Sequence, residues 1–174
     1  MIWLSNSTLA RLRDQLRTKG QRPSIVAPSP SMSPDAVEMM QVLTEYGPLC
    51  EAMYLMMSAD GKVTNDEREV LKGALRNLSG DGLRSAHVEG MLDAAAKNVA
   101  DHGRDKRLQE VIAALHEDKV RAEVAFVLAA AIAFADNAVA DEENETLNAM
   151  AEGLGIDEAR ANSLLDSVEA DMVG

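Results

Sequence analysis

Apolar residues recur at helical spacing along almost the whole chain, while the alternation that marks a half-buried strand is nearly absent. Over residues 1–20, Ile2, Leu9, Leu12 and Leu16 fall on one stripe with Arg11 and Arg17 off it, which predicts an amphipathic basic helix. Helical periodicity resumes after Ser33-Pro34, where Val37, Met40, Leu43 and Tyr46 share a face. Gly47-Pro48 predicts a break, followed by a buried helix through Leu49, Ala52, Met53, Leu55, Met56 and Met57. Further stripes run through Val70, Leu71, Ala74, Leu75 and Leu78, then Val88, Met91, Leu92 and Ala95, then Leu108, Val111, Ile112 and Leu115. The stretch 122–135 is apolar nearly all round, with Asp118 as its cap, and is too short for a bilayer. Leu147, Met150, Ala151 and Leu154 mark the next helix; Asp157 caps a last one sealed by Leu164, Leu165 and Val168. The pattern predicts an all-α fold, a single helical bundle of about seven helices with an N-terminal amphipathic helix appended.

Residues 21–34 carry four prolines among small residues, which disfavour a helix and favour an extended linker. The expected organisation is therefore a helix at 1–20, a Pro/Ser-rich linker at 21–34 and a helical domain at 35–174. Because the body's stripes lie beyond the linker, residues from about 35 onward are expected to fold without the arm.

The body contains a repeat. At an offset of 76 positions, Ala59, Asp60, Val63, Glu67, Glu69, Leu71, Leu78 and Asp81 meet Ala135, Asp136, Val139, Glu143, Glu145, Leu147, Leu154 and Asp157, eight identities in 23 positions. One helix–acidic turn–helix unit is present twice. Asp60, Gly61, Val63 and Glu67 match the second half of a calcium-binding helix–loop–helix, from the third ligand to the closing Glu. The first half is missing: the two earlier ligand positions are Met56 and Ser58 in one copy, and Ile132 and Phe134 in the other. Asn137, in place of Gly61, can still adopt a positive φ. Thr64-Asn65-Asp66-Glu67 also reads as a capping box, which explains Glu67 without any ion. Ala140 breaks that box in the second copy while Glu143 persists. Both readings stand. If the turns hold a cation, the candidate ligands are Asp60, Glu67, Asp136 and Glu143, with Asp66, Glu69, Glu142 and Glu145 as further oxygen donors. Calcium or another divalent ion held weakly is the expected cofactor.

The two motifs, Ala59-Asp60-Gly61-Lys62-Val63-Thr64-Asn65-Asp66-Glu67 and Phe134-Ala135-Asp136-Asn137-Ala138-Val139-Ala140-Asp141-Glu142-Glu143, with Leu71, Leu147 and the ending Leu154-Gly155-Ile156, resemble the tellurite-resistance TerB-like family over about residues 36–170. Asn137 for the usual Gly and Ala140 for the usual Ser or Thr are departures, bearing on ion affinity at the second turn more than on fold. The resemblance implies a bacterial all-helical module tied to tellurite and other toxic stress, cation binding, and partnership with a membrane protein.

Charge and chemistry narrow the function further. The chain carries a net charge of −12. Arg11, Arg13, Arg17, Lys19 and Arg22 against Asp14 make residues 1–34 net +4, so the remainder is −16. An acidic body repels phosphate backbones, and no nucleic-acid partner is expected. Residues 1–22, with Trp3, could instead touch a membrane surface or a protein partner; the alternative is a helix docked on its own domain. Leu9-Ala10-Arg11-Leu12-Arg13-Asp14 interrupts any secretory apolar centre, so a cytoplasmic location is expected, including the inner face of the membrane. Cys50 stands alone in an apolar run, excluding a multi-cysteine metal site. His87, His102 and His116 lie in separate segments with no Glu-x-x-His pairing, the main argument against a metal enzyme.

Overall fold

A computed structural model describes residues 3–18, 34–59, 61, 63–79, 83–135 and 139–173. Eight helices follow in order: α1 (Asn6–Thr18), α2 (Pro34–Met57), α3 (Asn65–Leu78), α4 (Ser85–His102), α5 (Arg104–His116), α6 (Lys119–Phe134), α7 (Asp141–Gly153) and α8 (Glu158–Asp171). A two-residue strand before α1, β1 (Trp3–Leu4), pairs antiparallel with β2 (Met172–Val173) after α8, with Trp3 opposite Val173 and Leu4 opposite Met172. The all-α bundle read from periodicity is therefore present, with seven helices after the linker region. The expected linker itself falls almost entirely outside the described residues.

The duplication is visible in the packing. α2, α3 and α4 form one copy; α6, α7 and α8 form the other, and the central helices α2 and α6 pack on each other. α4 lies on α2 as α8 lies on α6. α1 packs on α3 and reaches across to α6; α5 packs on α7 and reaches across to α2. Thus α1 and α5 occupy corresponding places. Alanines make the centre possible: Ala125, Ala129, Ala130, Ala131 and Ala133 are all buried, so neighbours approach α6 closely on every side.

Three expectations need correction. Gly47-Pro48 does not break the chain, because α2 runs through Pro48 without interruption. Proline costs about 3 kcal/mol inside a helix. Beyond it Leu49, Met53, Leu55 and Met56 are buried to within 1%, and each such side chain contributes about 1.5–3 kcal/mol. Burial outweighs the local penalty. The core stripes also do not all lie beyond the linker. Leu4, Leu9 and Leu12 are 3–4% exposed and belong to the same hydrophobic cluster as α3 and α6, with Leu16 packed at its edge. Leu9, Leu12 and Leu16 of the predicted stripe do share the buried face of α1, while Ile2 lies outside the described residues. What covers the stripe is its own domain. The helix expected over 1–20 starts only at Asn6, because Trp3–Leu4 pair as a strand with Met172–Val173.

Caps close the helices where expected. The Asp118 carboxylate accepts from the Val120 and Arg121 N–H groups at 3.0 and 3.3 Å, opening α6. Asp157 accepts from Arg160 N–H at 2.7 Å, opening α8. At the end of α7, Gly155 takes φ +72°. There Ile156 N–H reaches the Ala151 carbonyl (2.9 Å) and Gly155 N–H the Glu152 carbonyl (3.2 Å), the paired bonds of a left-handed helix stop.

Candidate functional site

The two acidic turns join corresponding helix ends, α2 to α3 and α6 to α7. In the first, Gly61 takes φ +80° and its N–H donates to the Ser58 carbonyl at 2.9 Å, turning the chain back toward α3. Thr64 then caps α3: its hydroxyl accepts from Glu67 N–H at 3.2 Å, while Glu67 Oε2 accepts from Thr64 N–H at 2.8 Å. The reciprocal box is complete. In the second turn Ala140 has no hydroxyl to offer, but Glu143 Oε2 still accepts from Ala140 N–H at 2.9 Å. Glu67 and Glu143 therefore play one role in both copies, with one carboxylate oxygen bound to a backbone N–H.

Asp60, Asp136 and the side chain of Asp66 lie outside the described residues. Glu69 and Glu145 are exposed on the outer faces of α3 and α7, and Glu142 is exposed in the first turn of α7. Among the described residues no three carboxylate, imidazole or thiol groups converge. Calcium takes six to eight oxygens. One partly engaged carboxylate per turn, with backbone carbonyls beside it, fits such an ion only as part of a shell completed by water.

The remaining candidates are placed by packing. Cys50 is 1% exposed, and burial, helped by neighbouring Glu51, pushes its thiol up to about 12. It is not a nucleophile at neutral pH. His87 Nδ1 accepts from Arg84 N–H at 3.4 Å at the start of α4, and His116 ends α5 near Gly155. Among the described residues neither joins a group of three metal-ligating side chains.

Sequence reading missed an ionic cluster where α5 meets α2 and α7. Glu51, 8% exposed, accepts two parallel bonds from Arg107, Nε to Oε1 at 2.8 Å and Nη2 to Oε2 at 2.6 Å. Arg107 also pairs with Glu110. The hydrogen bonds it donates to Glu51 hold Arg107 above its ordinary pKa. One turn earlier, Arg104 Nη2 donates to the Leu55 carbonyl at 2.6 Å and to Thr146 Oγ1 at 2.9 Å. Its Nε is buried without a partner among the described residues, and burial pushes its pKa down. A signal was available: two arginines in the first turn of a helix sit at the electrostatically unfavourable end, so tertiary partners must hold them.

The copies differ most in charge. Residues 60–98 hold seven acidic and six basic side chains; the matching residues 136–174 hold eleven and one, net −1 against −10. Lys62, Arg68, Lys72 and Arg76 are matched by Ala138, Asn144, Asn148 and Glu152. In the first copy Arg68 reaches Glu89 and Asp93 at 3.5 Å, and Lys72 binds Glu69 at 2.8 Å and also Glu89, stitching α3 to α4. In the second, Asp141, Glu142, Glu145 and Glu152 stand exposed along α7 with no cation on that helix, and the single arginine, Arg160, is turned to Glu123 on α6 at 2.8–3.0 Å.

A duplicated helix–turn–helix bundle with capped acidic turns, its second copy far more acidic than its first, defines an all-helical module in form. Residues 49–166 match the family described as tellurite resistance protein TerB, and the chain belongs to that family. No curated protein and no solved structure matches the chain. The match leaves out α1 and the first half of α2.

Proposed function

We propose that this protein is a non-enzymatic, cytoplasmic stress-response module that acts by docking: its second acidic turn and the face of α7 receive a basic segment of a protein partner, and its turns take up divalent cations weakly. The observation that carries this reading is the exposed acid along α7, a helix with no cation of its own, set against the paired charges of α3 and α4 in the first copy. Fields from one sign of charge attract an oppositely charged partner and raise its association rate. A membrane protein offers such a segment, because its cytoplasmic loops carry the Lys/Arg excess. Among the described residues no helix is long and apolar enough to cross a membrane itself. Calcium fits the same field with a dissociation constant on the order of 0.1–1 mM, since much of its shell would be water.

The alternative, a metal-free scaffold recruited through its N-terminal helix, gains nothing from the burial of Leu9 and Leu12, because that stripe is already covered. Contact with an anionic membrane through the basic residues of 1–22 would have to use the outer face of α1. The test is amide-shift mapping of the labelled protein titrated with a short oligolysine peptide, then with calcium. The reading expects peptide shifts concentrated on residues 139–153 that vanish in 0.5 M salt, where screening is within about 5 Å. Shifts spread evenly over both copies, or centred on α1, would reject it.

A further inference from the structure

Among the described residues, Arg104 is the one side chain whose hydrogen bonds touch the structural supports of both acidic turns. Its Nη2 holds the Leu55 carbonyl in the last turn of α2 (2.6 Å) and, with the same nitrogen, the Thr146 hydroxyl in α7 (2.9 Å). On the first side, the Ser58 hydroxyl also donates to the Leu55 carbonyl at 3.4 Å, and the Ser58 carbonyl accepts from Gly61 N–H, so Leu55 leads directly into the first turn. On the second, the Thr146 hydroxyl donates onward to the Glu142 carbonyl at 2.8 Å, in the first turn of α7 beside the Glu143 cap. We propose that Arg104 couples the two turns, so that loosening or filling one changes the other.

The physical reason is that one nitrogen serves both acceptors. Nη2 carries two N–H groups fixed in the guanidinium plane, one for each oxygen, so it cannot follow the two acceptors independently. If the end of α2 shifts, Nη2 must either leave Leu55 or pull away from Thr146. A half-buried cation with a buried, unpartnered Nε is held at a desolvation cost. A methionine or leucine would fill the same space without that cost, so the arginine's worth lies in the two elements it ties. No other described side chain bonds both to the α2 terminus and to α7. This inference deepens the docking reading by giving its two turns a common switch, and it rests on that reading for its functional meaning only.

The test reads coupling without any ligand. Glu67→Gln and Glu143→Gln each weaken one cap, and their separate and joint effects on the unfolding equilibrium are measured in chelator by urea titration. Distant, unlinked sites add. Coupling through Arg104 predicts that the joint effect departs from the product of the single effects by about threefold or more, and that this departure disappears in an Arg104→Met background. Arg104→Lys should behave like Met, because its ammonium falls short of the Nη2 position and keeps the charge without the reach to both acceptors; a purely electrostatic role would be preserved by Lys. Should the Met background fail to fold, hydrogen exchange in the intact chain decides: Glu67→Gln should speed exchange of Ala140 and Asn144 N–H groups in the other copy. Additive caps, or unchanged exchange at Ala140 and Asn144, would overturn the proposal. Since neither peptide nor calcium is present, that failure leaves the docking reading standing, and a failed peptide titration leaves the coupling standing.

Discussion

The two copies of the helix–turn–helix unit share a backbone plan and divide its chemistry. The first is closed: Thr64 and Glu67 complete its cap, Arg68 and Lys72 tie α3 to α4, and its charges nearly cancel. The second is open: Ala140 leaves its cap half made, asparagines stand where Arg68 and Lys72 would be, and eleven acids face one arginine. A duplicated fold needs only one copy to be optimised for stability. The other can keep like charges together at a local cost, and the proposed docking reading gives that cost a use. The flanking helices differ in the same sense. α5 follows α4 directly and is tied in by Arg104 and Arg107, whereas α1 stands outside the family match and is held by leucines and exposed polar contacts such as Arg11 to Asp171 at 3.0 Å.

The comparison can be broken most severely at α1. Leu12→Ala empties a site only 4% exposed and should cost about 2–5 kcal/mol in urea unfolding. A loss under about 0.5 kcal/mol would show that α1 is an appendage, unlike α5. Next is the close approach of α5 to α7. A methyl group on Gly153 would stand 2.7 Å from Ile112 Cγ2, whereas the matching residue in the first copy, Asn77, has room for a whole side chain and bonds Asn6 at 3.3 Å. Alanine normally gains about 1 kcal/mol over glycine in a helix; here overpacking of about 1–3 kcal/mol should reverse the sign. Stabilisation by Gly153→Ala would mean that Ile112 gives way freely.

The caps give a smaller, paired effect. Thr64→Ala should lose about 1 kcal/mol, and Ala140→Thr should gain a comparable amount, because Ala140 already has the extended φ −67°, ψ 156° of a cap. Equal responses of opposite sign would make the turns interchangeable in structure, leaving charge as the difference between them. The smallest effect is with pH. Arg160 lowers the Glu123 carboxyl below its ordinary range. This pair therefore stabilises α8 above the usual carboxylate pKa and loses that contribution as pH falls through the lowered value. Arg160 is half exposed, so screening limits the gain to about 0.5–1 kcal/mol. Glu123→Gln should flatten the acid limb of the stability curve by that amount and leave the alkaline limb unchanged.

Local signals made most of this architecture legible. The stripes of α3 to α8, the caps at Asp118 and Asp157, the Thr64–Glu67 box and the 76-residue repeat all follow from spacings of a few residues or from self-similarity. What could not be read depended on partners far away in sequence. Pro48 stays helical because the residues after it are buried against α4, α5 and α6. The docking of α1 turns on α3 and α6 offering a matching face. The tie from Arg107 to Glu51 spans 56 residues and that from Arg104 to Leu55 spans 49, beyond any periodic signal. The cation reading of the turns depends on Asp60 and Asp136, outside the described residues, so that part of the candidate site rests on the pattern alone.

The most direct test of the central claim compares the copies by neutralising each. Glu142→Gln with Glu145→Gln in α7, and Glu69→Gln with Asp93→Asn in α3 and α4, remove two charges apiece from exposed positions. Affinity for the oligolysine peptide is then measured at low salt by fluorescence anisotropy. If the second copy is the docking face, the α7 pair should weaken binding about tenfold, since each lost contact near the surface is worth about 0.5–1 kcal/mol, while the first pair changes it less than twofold. Equal losses from both pairs, or a larger loss from the first, would contradict the account.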